Sequence, residues 1–463
     1  MHTRSSFLLL SVLLSAASGF AQAPKYTIND LGPAGNVTGI NINGQVIGWF
    51  AASGGQSHAF RTAPNAPINI ITDDLGTLGG VSSVANGINA SGQVTGSSDT
   101  PQGDTHGFRT GPAAKINPSA DDLGTLGGHP AFGSAFTSGA GINDSGQVVG
   151  GSIASDGSSH GFRTAANSPI NPATDDIGTL PFGPVAASTS GGRSINRAGV
   201  VLGAFEGGNI IFPTAFLDSG NSITEIPCII VAPFGNNFTG INDQGIFAGT
   251  DNCSQTFPPF IALVQNGTIT DMAQCDCEPH GINNSSQVVG QGFTFGPNHA
   301  FLYSGGTLYD LNNLFPSGSG WVVSNATAIN DHGQIVGMGT LNGARHGFRL
   351  DPLVVPQANI TSSVTVSYSG FRMNLSNGHY RQTVTLTNNS GSDITALDAA
   401  LDNLAGATLT NLTGTTSSTT PANSPYISMG TLPNGQTTYV SLDFVKSGTI
   451  TYTLRLLGGA GTP

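Results

Sequence analysis

One decapeptide constrains this chain more than any other feature. "GINDSGQVVG", starting at Gly141, returns as "GININGQVIG" at Gly39, "GINASGQVTG" at Gly87, "GINDQGIFAG" at Gly240 and "GINNSSQVVG" at Gly281. Worn copies read "SINRAGVVLG" at Ser194 and "AINDHGQIVG" at Ala328. Their isoleucines, Ile40, Ile88, Ile142, Ile195, Ile241, Ile282 and Ile329, are spaced by 48, 54, 53, 46, 41 and 47 residues. Self-similarity at such a period implies stacked units, each burying its apolar face against the next.

The decapeptide reads as a hairpin. Asn143 suits the first position of a type I turn. Gly146 then takes the left-handed conformation of a three-residue loop. Ile142, Val148 and Val149 flank the turn on both sides. Ser286 replaces the turn glycine in the sixth copy and should be strained there.

A second element follows each copy: "HAFRT" at His58, "HGFRT" at His106 and His160, "HAFLY" at His299 and "HGFRL" at His346. Degenerate forms are "TAFLD" at Thr214 and "PPFIA" at Pro258. A third reads "DLGTLGG" at Asp74 and Asp122 and "DIGTLPFG" at Asp176. Asn266-Gly267, a strong hairpin signal, joins the second and third elements in the fifth unit. One unit is therefore four short antiparallel strands, the size of a β-propeller blade.

Seven such units predict an all-β, seven-bladed propeller over residues 24–350. A parallel β-helix is the competing architecture, but its coils are shorter and it needs caps. The series opens on a fourth strand, "KYTINDLG", and ends on a third, "HGFRL". Tyr26 to Leu31 should therefore complete the seventh blade beside His346 to Leu350 and close the ring.

The three elements together resemble the HAF repeat family of bacterial extracellular proteins. The resemblance runs from about Tyr26 to Leu350. It implies export and a repeat architecture, and it brings no catalytic residues. Units four and five depart from it by lacking the histidine.

Residues 1–21 read as an export signal. Arg4 precedes an apolar run, Phe7 to Ala17, that is too short to span a bilayer. Cleavage is expected after Ala21, because Pro24 disfavours a cut after Ala23. No later segment is apolar enough for a membrane helix, so an extracellular or surface-associated monomer is expected. Residues 351–357, "DPLVVPQ", read as a linker. Beyond it, Val384 and Leu386, then Val440, Leu442 and Phe444, alternate in phase, and Ile450, Tyr452 and Leu454 follow suit. About seven strands there predict an immunoglobulin-like β-sandwich over residues 358–463.

Charged residues make up 9% of the chain, against roughly 25% in an ordinary domain. The net charge is -12 and Lys plus Arg number 14, which argues against nucleic acid as a partner. Four cysteines, Cys228, Cys253, Cys275 and Cys277, read as disulfides in an exported chain rather than a zinc site. A bond between Cys275 and Cys277 would close a very tight ring. The expectation is that Cys228 and Cys253 share the other two between them.

His58, His106, His160, His299 and His346 invite a metal reading, but they lie on third strands, too far apart for shared ligation. They are expected to be structural, with no metal and no cofactor. Asp276, Glu278 and His280 form the one unrepeated acid–base cluster. Trp49, Phe132, Phe136, Phe182, Phe234, Phe238 and Trp321 could stack sugars or fill the core. Trp49 and Trp321 are the candidate ligand contacts. Three function classes follow: a binding or adhesion scaffold for extracellular glycan or protein, a purely structural repeat protein, and a carbohydrate-active hydrolase or lyase. The scarcity of Glu ranks the enzyme third.

Overall fold

The computed structural model describes residues 24–52, 54–128, 136–179, 189–206, 214–220, 222–226, 229–230, 240–251, 260–292, 299–353 and 357–459. The chain divides into two compact units, Pro24–Pro352 and a second that takes in Leu353 onward.

The first unit is a seven-bladed β-propeller. Blade one shows the plan: Asn36–Ile40, Val46–Ala51, Ser57–Arg61 and Asp74–Gly76 hydrogen-bond in that order. Six blades have four strands. Blade two has three, and its fourth element contributes only an isolated bridge between Phe108 and Asp122.

The repeat dictates this geometry residue by residue. The second-strand glycine faces the phenylalanine of the third strand, as Gly48 faces Phe60 and Gly150 faces Phe162. A Cβ on Gly150 would lie 1.9 Å from the Ser138 carbonyl oxygen, so only glycine lets the first strand approach. Phe60, Phe108, Phe162, Phe216, Phe301 and Phe348 are fully buried. Each such ring contributes roughly 1.5–3 kcal/mol by leaving water. The fifth unit corrects the sequence alignment. Gly249 faces Ala262 there, so Phe260 sits at the histidine position rather than the phenylalanine position.

The ring closes as expected. Tyr26–Gly32 pairs antiparallel with Ala344–Pro352, and its register runs from Tyr26 opposite Pro352 to Gly32 opposite Gly347. Pairing thus runs two residues past Leu350, taking Asp351 and Pro352 out of the expected linker, because Thr27 and Tyr26 offer them partners. Tyr26 is 1% exposed, and burial pushes its phenol up to about 12.

The second unit is a β-sheet module. Its strands form one continuous eight-stranded sheet rather than two separately hydrogen-bonded layers. The cause is the 22-residue strand Thr437–Gly458. Its first part pairs with Tyr380–Asn388 and the rest with the 16-residue strand Ile394–Leu409, so one sheet wraps a single core. Val384, Leu386, Val440, Leu442, Phe444 and Leu454 lie in that core, as their alternation predicts, with Ile450 and Tyr452 packed against it.

Candidate binding surface

The repeated asparagine organises one face of the ring. Its side-chain oxygen caps its own turn: Asn41 Oδ1 accepts from the backbone N–H of Asn43 at 3.1 Å and of Gln45 at 3.0 Å. Its Nδ2 donates to Gln45 Oε1 at 2.9 Å and to the Asn89 carbonyl of the next blade at 3.0 Å. The same inter-blade bond runs from Asn89 to Asn143, Asn143 to Asn196, Asn196 to Asn242, Asn242 to Asn283 and Asn283 to Asn330. Asn330 donates to the Asn41 carbonyl at 3.0 Å and completes the circuit. Sequence reasoning read this residue as a turn former and missed the circuit. The signal was present, because even the worn copies that lose Gly or Gln keep Ile-Asn.

The central opening on this face has a volume of about 260 Å³. Asp144, Arg197, Asp243, Asn284 and Asp331, each one residue past a ring asparagine, stand at its rim. They are spent on one another. Asp243 accepts from the Arg197 backbone N–H, Asn284 from that of Asp243, and Asp331 from that of Asn284. The Asp144 hydrogen bond, aided by Asp243, holds the Arg197 guanidinium above its ordinary range.

The five histidines form clasps inside blades. His58 Nδ1 lies 3.0 Å from Asp74, His106 2.9 Å from Asp122, His160 2.9 Å from Asp176, His299 2.9 Å from Asp310, and His346 2.8 Å from Asp30. Each partner is the Asp of the fourth element in the same blade. Four of those Asp also accept the backbone N–H of the Asp-x-Gly glycine, as Gly76 donates to Asp74 and Gly32 to Asp30, each at 2.8 Å. Among the described residues no group of three His, Cys, Asp or Glu is placed to hold a metal. The arginine that follows in "HAFRT" also serves the ring: Arg61 Nη1 donates to the Gly92 carbonyl of the next blade at 2.7 Å.

Second strands start and first strands end at the asparagine turns. Trp49, Trp321 and Phe136 therefore lie toward the opposite face. Trp49 is half-buried over Gly35, where an added Cβ would fall 1.9 Å from the indole. Trp321 is half-buried with its ring edge-on to His346 and Phe348, centroids 6.3 Å apart in both cases. Phe136 is 45% exposed. Phe132, Phe182, Phe234 and Phe238 lie outside the described residues.

The cysteines correct the expected pairing. Cys275 and Cys277 are bonded to each other, with Cα atoms 5.2 Å apart. Only Cys275 and Asp276 separate Thr268–Gln274 of blade five from Cys277–Ile282 of blade six. The chain bends at this connector and brings the flanking side chains together. Cys228 and Cys253 lie outside the described residues. His280 is buried, its Nδ1 2.9 Å from Asn325 Oδ1 and 3.1 Å from the Ala326 carbonyl oxygen. Its Nε2 is 3.8 Å from Glu278, which accepts from Gln291.

No family profile matches the sequence, and no curated protein is recognisably related to it. Solved structures give distant likenesses. A puromycin hydrolase is 9% identical, with 79% of this chain and 59% of that chain covered, at a TM-score of 0.39. A Mycobacterium tuberculosis puromycin-hydrolyzing peptidase is 9% identical, with 78% and 58% covered, at 0.41. Trypanosoma rangeli sialidase is 9% identical, with 95% and 94% covered, at 0.32. The chain spans less than two thirds of the length of the two hydrolases. Likeness this weak carries no argument about activity.

Proposed function

We propose that the chain is an exported, monomeric, non-catalytic scaffold of HAF-repeat type. It takes an extracellular glycan or protein on the face of its ring away from the asparagine turns. One observation supports this reading above others: the chemistry-bearing repeat residues are committed to the framework. The histidines hold Asp, the asparagines hold the next blade, and the rim carboxylates hold backbone amides. A hydrolase needs an acid and a base facing one pocket. His280, at 3% exposure and turned onto the Ala326 carbonyl, suits the framework better than a reacting substrate. Variation between blades is what remains for recognition, and Trp49, Trp321 and Phe136 are such departures from the repeat.

The second unit, in this reading, is an immunoglobulin-like spacer or attachment module. The test is an array of extracellular glycans and proteins probed with the chain from Gln22 onward. Saturable binding without turnover is the expected result. Release of product from any bound glycan, or no binding to either class, overturns the proposal.

A further inference from the structure

The sheet of the second unit ends differently on its two sides. On one side the last strand is Gly414–Thr415, two residues long. On the other it is Val364–Tyr368, a five-residue strand of sequence VTVSY. Two bonds fix which of its backbone groups are used. The Asn389 N–H donates to the Ser363 carbonyl, and the Ser369 N–H donates to the Thr383 carbonyl. Hydrogen-bonded pairs alternate along an antiparallel ladder, so Thr365 and Ser367 also turn their backbone groups to Tyr380–Asn388. Val364, Val366 and Tyr368 turn theirs outward, and among the described residues no strand lies beyond them.

Such an edge pairs with other chains, and proteins guard against this with charge, proline, a bulge or brevity. The two-residue edge has brevity. The five-residue edge has none of the four. Its ladder runs without a bulge from Val364 opposite Asn388 to Tyr368 opposite Val384. No charged residue occurs from Gln357 to Phe371. Val364 is buried and Val366 packs against the core, whereas Thr365 and Ser367 are exposed. Tyr368 continues the core-facing row yet is 52% exposed, its ring edge-on to Tyr452 with centroids 6.5 Å apart.

We propose that this edge pairs antiparallel with the same edge of a second copy of the chain. The strand is its own complement: pairing about Val366 uses all five residues. Val366 meets Val366 of the second copy, Val364 meets Tyr368, and Thr365 meets Ser367. An aromatic side chain opposite a β-branched one, and hydroxyl opposite hydroxyl, are favourable cross-strand pairs. Two-fold pairing occupies the edge of both copies, so assembly stops at two. The shared strip is about 17 Å long and about 10 Å deep, far short of the roughly 800 Å² per partner in a stable complex. The dimer is therefore weak. The chain stays monomeric when dilute, in keeping with the scaffold reading. It pairs where several copies are held together at an effective concentration on the order of millimolar. The pairing does not depend on what the ring binds.

The test is sedimentation velocity of the chain from Gln22 onward, between about 10 µM and about 1 mM, the upper limit matching that effective concentration. A monomer should give way to a dimer and to nothing larger. One variant carries Thr365→Lys with Ser367→Lys, and another carries Thr365→Glu with Ser367→Glu. Each places like charges directly opposite and should dimerise at least about tenfold more weakly than the parent. An equimolar mixture of the two should dimerise again, which also shows that both are folded. In the unaltered chain, amide exchange at Val366 and Tyr368 should slow at the higher concentration, while that at Thr365 and Ser367 should not change. This measurement holds even if a variant misfolds. A parent that stays monomeric throughout, species that grow beyond two, variants that associate like the parent, or exchange that ignores concentration would each overturn the proposal.

Discussion

Asn89 uses all of its hydrogen-bonding capacity. Its Oδ1 accepts from Ser91 Oγ at 2.9 Å and the Gln93 backbone N–H at 3.0 Å, and its Nδ2 donates to Gln93 Oε1 at 2.9 Å and the Asn143 carbonyl at 3.0 Å. Aspartate would lose both donors and bury a charge. Asn89→Ala should lower stability by about 2–3 kcal/mol, because its partners are left buried and unpaired. Asn196 has Val200 in place of the glutamine, so Asn196→Ala should cost roughly half as much. Urea unfolding with an unchanged slope would check both. The His106 clasp should depend on pH. Its hydrogen bond to Asp122 outweighs burial and raises the imidazole above its ordinary 6.5. Burial pushes Asp122 upward, but the His106 and Gly124 hydrogen bonds overcome it and hold the carboxyl below 3.8. The histidine contribution is full below 6.5 and is lost as pH rises through the raised value. The aspartate contribution is present above 3.8 and is lost as pH falls through the lowered one. His106→Ala should therefore destabilise more at about pH 5.5 than at about pH 8.5, read by thermal unfolding at each pH. An equal penalty at both would contradict this.

At the scale of strands, most of the architecture is legible in the sequence. Turn chemistry gave the hairpins: Gly146 has φ 76°, Asn266 and Gly267 have 50° and 77°, and Ser286 is forced to 56°. The offset of "KYTINDLG" gave the closing strand. Three features were hidden, each for a physical reason. The register of blade five is set by which residue faces Gly249, and no local pattern reports that. The Cys275–Cys277 bond depends on a connector bend that residue spacing does not encode. The single wrapped sheet depends on how far Thr437–Gly458 runs, while alternation reports only which face of a strand is buried. The closing strand invites a direct test. Deleting Tyr26–Gly32 exposes the edge of Ala344–Pro352 and should reduce unfolding cooperativity and promote association. Calorimetry and light scattering would show it. Cysteines at Thr27 and Asp351, which are register partners, should crosslink.

For the whole molecule, the division at Pro352 predicts independence. A chain lacking Gln357–Pro463 should keep the ring folded, with far-ultraviolet dichroism and melting close to those of the parent ring. Loss of cooperative melting would show that the ring needs its neighbour. Blade seven also determines how the ring bears mechanical load. Tyr26 and Pro352 are neighbours at one end of an antiparallel pair, whose hydrogen bonds run across the strands. A pull between the two ends of the ring acts on one rung at a time and peels the closing strand away at low force. A pull between a ligand on another blade and Leu353 instead draws on a strand flanked on both sides by partners. As a tether the ring is therefore weak when stretched between its own chain ends and strong when loaded through what it holds.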